Sequence, residues 1–167
     1  VGLFTDVALA ADAHAAGEGA HINAVFNRKE QPFAERFEAG ATIVKVSDGF
    51  DIGRRGRDTG REIRLGKSAL FRLDGSNVEI IVTSLREQPA DPRSFEMFGV
   101  DIGALKCAVL KSTVHFRAGF DEFFSPEQIY EVALPGVLSF NLADFVFKGL
   151  PRPIWPLDDE VTWTPST

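Results

Sequence analysis

With 167 residues, 44% of them hydrophobic and 25% charged, the chain is long enough to bury one sizeable core and has the composition of an ordinary globular protein. A net charge of −6 argues against nucleic acid as a partner, and no apolar run approaches the roughly 20 residues that span a bilayer. The chain opens at Val1 with no methionine and no signal-peptide pattern, and its one cysteine, Cys107, has no partner for an internal disulfide, so it reads as a piece of a longer, cytoplasmic protein.

The first predicted element is a helix in "FTDVALAADAHAAGEG". Thr5 or Asp6 can accept hydrogen bonds from its first free N–H groups, and Gly17 can take the left-handed position at its end. Residues 20–26, "AHINAVF", alternate as a strand does. A second strand is expected over 41–47, then a turn at Asp48-Gly49 and a return strand. Residues 53–67, "GRRGRDTGREIRLGK", hold four glycines and six basic residues and form the least regular stretch. "SALFRL", "DGSN" and "VEIIVTS" read as two strands around a tight turn. Residues 91–99 predict a short helix with Asp91 as N-cap, Pro92 at its first position and Gly99 as its stop. A strand is expected over 105–112, a helix over 113–124 and a further strand over 128–136, which together make a strand–helix–strand unit. The tail "FKGLPRPIWPLDDEVTW" carries three prolines and two tryptophans and suits neither a long helix nor an inner strand. The whole reads as an α/β fold, a single domain on a mixed β-sheet with flanking helices and an irregular Pro/Trp-rich C-terminal tail.

Chemistry is sparse. His14, His21 and His115 lack a His, Asp, Glu or Cys neighbour at a metal-ligand spacing, so no metal is expected on this chain alone, and His14 and His21 read as surface or packing residues. Gly53, Gly56, Gly60 and Gly66 match neither a dinucleotide fingerprint nor a P-loop. Arg54, Arg55, Arg57, Arg61, Arg64 and Lys67 make either a solvated loop balanced by acids elsewhere, or a flap that meets an acidic substrate or a neighbouring subunit. Cys107, inside an apolar run, reads as a small core residue. Ser112 lacks the G-x-S-x-G context, and a Ser112–His115–Asp121 triad fits poorly because 112, 115 and 119, not 121, share a helix face. What remains is "CAVLKSTVHFRAGF". There Lys111 and Ser112 stand at the predicted end of a strand, where ligands collect in α/β sheets. Free N–H groups of 113–115, with His115 and Arg117, would attract an anion if a helix starts there; the structural alternative is a capped helix whose basic side chains face water.

The stretch 65–120, with its KS-x-x-HFRA-x-F motif, then "ALPG" at 133–136 and "RPIWPLD" at 152–158, resembles the C-terminal region of the MlrC family, the microcystinase C-like metallopeptidases. "FTDVALAADAHAAGEGA" is similar to the family's Asp-Pro helix and G-x-G-A turn, with Val7 in place of the proline. The family's C-terminal domain begins before residue 1, with an Asn-Pro-Gly-Gly-Gly-like segment not found here, so residues 1–167 are expected to be an MlrC-like C-terminal domain truncated at its N-terminus. The resemblance implies a zinc-dependent hydrolase of peptide or amide bonds whose metal ligands lie in an N-terminal catalytic domain absent from this chain. Zinc is therefore expected in the parent and not on the fragment, which alone would be inactive. The implied partners are that catalytic domain and a peptide or amide substrate, with a homo-oligomer open. Lys111, Ser112, His115 and Arg117 would bind substrate as part of the cleft wall. The alternative from another class is a structural or dimerisation module with no direct part in catalysis, and a third is an isolated small-molecule binding domain.

Overall fold

A computed structural model of the chain describes residues 1–29, 34–134 and 141–162. They divide into two compact units, Val1–Ile129 and the residues from Tyr130 onward.

The first unit is built on a five-stranded sheet. Its strands are β1 (Phe4–Thr5), β2 (His21–Phe26), β3 (Phe37–Ser47), β6 (Ser68–Leu73) and β7 (Glu79–Thr83), in the order β1-β7-β6-β3-β2. β1 runs parallel to β7 and every other pair is antiparallel, so the sheet is mixed, as expected. Helix α1 (Val7–Ala16) follows β1; the Asp6 carboxylate accepts from the Leu9 N–H at 2.9 Å, and Gly17 ends the helix at φ 85. The hairpin between β6 and β7 also matches expectation. Leu73 N–H donates to the Val78 carbonyl, and Gly75 supplies the positive φ of 65 that the turn requires.

Period-2 alternation sorts the core into two layers. Ala41 and Ile43 of β3, Ala69 and Phe71 of β6, and Val82 of β7 meet Leu9, Ala10 and Ala13 of α1 on one face. Leu70 and Ile81, one residue out of phase, meet Leu3, Leu65, Phe95, Phe98, Ile102 and Phe120 on the other. The "SALF" run is therefore continuously buried because β6 is covered on both faces.

Several expectations need correction. The residues after the Asp48-Gly49 turn do form a strand, β4 (Phe50–Ile52), but it pairs with β5 (Glu62–Arg64) in a separate ribbon and not with β3. The helix expected over 91–99 is reduced to α2 (Arg93–Glu96), ended near Gly99 at φ 79. Residues 105–112 form no strand of the sheet: a single parallel bridge joins Gly2 to Leu110. With so little pairing the apolar run is half out of the core, and Cys107 is exposed, not buried. The helix expected over 113–124 shrinks to α3 (Arg117–Phe120), because Ser112, Thr113 and Val114 are poor helix formers. Ile129–Leu134 form no strand, and residues 135–136 of that expected strand lie outside the described residues. The strand–helix–strand unit is thus not formed among them.

In the second unit, the described part holds one 3-10 turn, Leu142–Asp144, and otherwise irregular chain, as its prolines dictate. Arg152 pairs with Asp158, whose carboxylate also accepts from the Ile154 N–H at 2.6 Å. These bonds hold the Asp158 carboxyl at about 2, below the usual carboxylate range, with the Arg152 hydrogen bond the larger cause. No helix among the described residues is long and apolar enough to cross a membrane.

Candidate functional site

The Arg-rich loop after β4 is held by a residue that sequence reasoning saw only as a helix cap. Asp91 is 1% exposed. One carboxylate oxygen accepts from the Arg54 N–H at 2.6 Å and the Arg55 N–H at 2.7 Å, and the other from the Arg93 N–H at 2.8 Å. One carboxylate therefore fastens the loop to the start of α2. Gly53 permits the tight path, since a Cβ there would stand 2.1 Å from the Asp58 carbonyl oxygen.

Beyond this anchor four of the loop's guanidinium groups are met by acids, while Arg61 and Lys67 are exposed with no acid partner among the described residues. Arg54 pairs with Glu96 and Glu122, and Arg55 with Asp121 and Glu122. Arg57 pairs with Asp58 and Arg64 with Glu62. Arg93 completes the network with Asp51 at 2.7 Å. Hydrogen bonds to Glu96 first, then Glu122, raise the Arg54 pKa above its ordinary value. This is the solvated basic loop balanced by acids elsewhere. The acids come from 51–122, far apart in sequence, and only Asp58 and Glu62 are close enough to the arginines to be suspected without the fold.

Lys111, Ser112, His115 and Arg117 fall on the irregular segment that leads into α3. Lys111 and His115 are exposed, and Arg117 is exposed with its guanidinium 5.3 Å from the centre of the Phe116 ring. The Ser112 hydroxyl is buried and has no hydrogen-bond partner among the described residues. Asp121, the third member of the imagined triad, is taken by Arg55. The segment thus gathers cations and an unsatisfied hydroxyl, with no nucleophile–base pair among them. A helix N-terminus at 113–115 is not formed, since α3 starts at Arg117 and spans four residues.

Hollows form among the described residues. One, of about 210 Å³, is lined by Arg57, Asp58, Arg61, Glu87, Asp91 and Ser94 among others. Another, of about 420 Å³, lies within residues 143–157. Neither is lined by Lys111, Ser112, His115 or Arg117. His14 places Nε2 3.1 Å from the carbonyls of both Ser47 and Ser68 and packs α1 onto the sheet, while His21 pairs with Asp74 at 2.6 Å. Among the described residues no three His, Cys, Asp or Glu side chains gather so as to hold a metal ion, so these residues do not fit the zinc that the resemblance implies for the parent.

The profile of the MlrC C-terminus matches residues 1–148. The chain belongs to that family. In three dimensions it is similar to the crystal structure of a "Putative metallopeptidase" from Mesorhizobium sp. BNC1, with a TM-score of 0.75 and 24% sequence identity over 96% of this chain. That likeness carries the fold. The chain spans only 31% of that protein's length, and the family's description makes this the C-terminal part of a longer architecture. No curated protein sequence matches it.

Proposed function

We propose that this MlrC C-terminal domain belongs to a zinc-dependent hydrolase of peptide or amide bonds and supplies one wall of its substrate cleft. The metal ligands would come from the catalytic N-terminal domain of the parent. Lys111, His115 and Arg117 would neutralise a substrate carboxylate or the negative charge that develops in amide hydrolysis, and the Ser112 hydroxyl would find there the partner it lacks.

The observation that carries this reading is the outward placement of Lys111 and His115 within the motif that resembles the family. A histidine and a lysine kept for internal packing would be paired inside. His115 is exposed and has no hydrogen-bond partner among the described residues, which favours the cleft reading over the structural or dimerisation module.

The test is an assay of the full-length parent against a peptide and amide panel, with metal analysis of the same preparation. A metal-free, inactive parent overturns the reading. In an active parent, Arg117→Ala and His115→Ala should each weaken binding or turnover by about tenfold, the effect of losing one charge-assisted contact. Unchanged kinetics in both would remove the motif from the cleft.

A further inference from the structure

Residues 108–112 run beside Gly2, just ahead of β1, and no described residue pairs with their other edge. The Gly2 N–H donates to the Val109 carbonyl at 3.0 Å, and the parallel bridge pairs Gly2 with Leu110. In a parallel pair, bonds to the residue opposite Leu110 use its two neighbours, so Val109 and Lys111 face inward to Gly2. The N–H and C=O groups of Ala108, Leu110 and, at the end, Ser112 then point to the other side. Apart from that bridge, no backbone N–H from Lys106 to Phe116 donates to a described residue. Side-chain burial alternates in step: Ala108, Leu110 and Ser112 are half-buried, while Val109, Lys111 and Thr113 are exposed.

Along the sequence of this segment the charge has one sign. In a chain of net charge −6, residues 102–120 contain Lys106, Lys111, His115 and Arg117 and no aspartate or glutamate. Lys106, Lys111 and His115 are exposed. A second copy pairing along the same edge would bring lysine toward lysine, which opposes self-association. An extended peptide with a free carboxylate meets both features: its backbone supplies the missing hydrogen-bond partners, and its charge is complementary.

We infer that the outer edge of 108–112 is a strand-addition site for an extended peptide, whose carboxylate is met by Lys111 and His115. Main-chain pairing through Ala108, Leu110 and Ser112 would supply affinity with little dependence on sequence, and the flanking cations would fix direction and register. This rests on the peptide-hydrolase reading above, for which it supplies the manner of substrate binding.

The test uses the full 167-residue chain labelled with 15N and the probe Ac-Thr-Val-Thr-Val-Glu with a free C-terminal carboxylate. The expected result is slowed amide exchange at Ala108, Leu110 and Ser112 on adding the peptide. N-methylation of alternate peptide amides should weaken binding about tenfold in one phase and little in the other, since one phase carries the bonds. Amidating the C-terminus should weaken it several-fold. Ala108→Pro, which removes an outward N–H at a small side chain, should act like the damaging methylation phase. If that variant fails to fold, the methylated peptides still decide. Equal effects of both phases overturn the proposal. So does protection of the three amides in the free chain, which means the edge is already covered, and so does protection that grows with protein concentration, which means a second copy occupies it. A peptide bound at this edge but left intact by the full-length parent would sink the hydrolase reading and spare the edge. A peptide cleaved with unchanged kcat/KM in Ala108→Pro parent would do the reverse.

Discussion

Asp91 is the residue whose removal tests the architecture most directly. It is buried, and its carboxylate accepts three backbone N–H groups, those of Arg54, Arg55 and Arg93, at 2.6, 2.7 and 2.8 Å. Hydrogen bonds to a charged group contribute about 1.5–3 kcal/mol each, and a buried donor left alone costs about 1–3 kcal/mol. In Asp91→Asn one oxygen survives and can keep the Arg54 and Arg55 bonds in weaker, neutral form, while the new amide presents a donor to the Arg93 N–H. The expected loss is about 2–3 kcal/mol. Asp91→Ala removes all three acceptors, but water from the adjoining hollow, lined in part by Asp91, reaches some of the stranded donors, so about 4 kcal/mol is expected. Urea unfolding followed by far-UV circular dichroism measures both, and the asparagine variant should also melt about 5–10 °C lower. Amide exchange at Arg54 and Arg55 should accelerate in Asp91→Asn more than in the sheet. A loss below about 0.5 kcal/mol, the range of ordinary surface substitutions, would refute the idea that this carboxylate anchors the loop.

Phe71 is fully buried between β6 and α1, so Phe71→Ala should cost about 3–5 kcal/mol, read by the same urea titration. A Cβ at Gly119 would stand 2.2 Å from the Ala90 carbonyl oxygen, a backbone atom that cannot swing away; Gly119→Ala should cost more than about 1 kcal/mol and disturb amide shifts in α3 and at Ala90. The Asp158 carboxyl should titrate near pH 2 by 13C NMR. Because its folded pKa is depressed, its tie to Arg152 and Ile154 is fully present above the usual carboxylate range and is lost as pH falls through about 2. A midpoint at the ordinary aspartate value would mean the pair does not persist in solution, and Arg152→Ala should move the midpoint most of the way there, with the Ile154 N–H still holding it somewhat low.

Local rules were enough for α1, where Asp6 and Gly17 bound a ten-residue helix, and for the β6–β7 hairpin, where Asp74 and Gly75 make the turn. The same is true of the irregular tail, because proline acts on its own backbone wherever it stands. The resemblance carried by KS-x-x-HFRA-x-F was likewise legible in the residues, and the family match agrees with it.

Tertiary structure decided everything that depends on which segments meet. "LKCAVLKS" has the composition of a strand, yet a strand exists only with a neighbour, and among the described residues this one found only Gly2. β4 turned from β3 to β5, because pairing is chosen by long-range packing and not by the nearest turn. The arginines of 54–57 could be read as a solvated loop balanced by acids or as a flap for an acidic substrate or subunit, and Glu96, Asp121 and Glu122, brought from up to 68 positions away, satisfy Arg54 and Arg55. Asp91 read as a helix cap, and only the folded chain shows that the same carboxylate also carries the Arg54–Arg55 backbone. Periodicity and turn chemistry act between residues a few positions apart, so one sequence states them; the partner of a buried charge or an open strand edge is chosen when the whole chain closes.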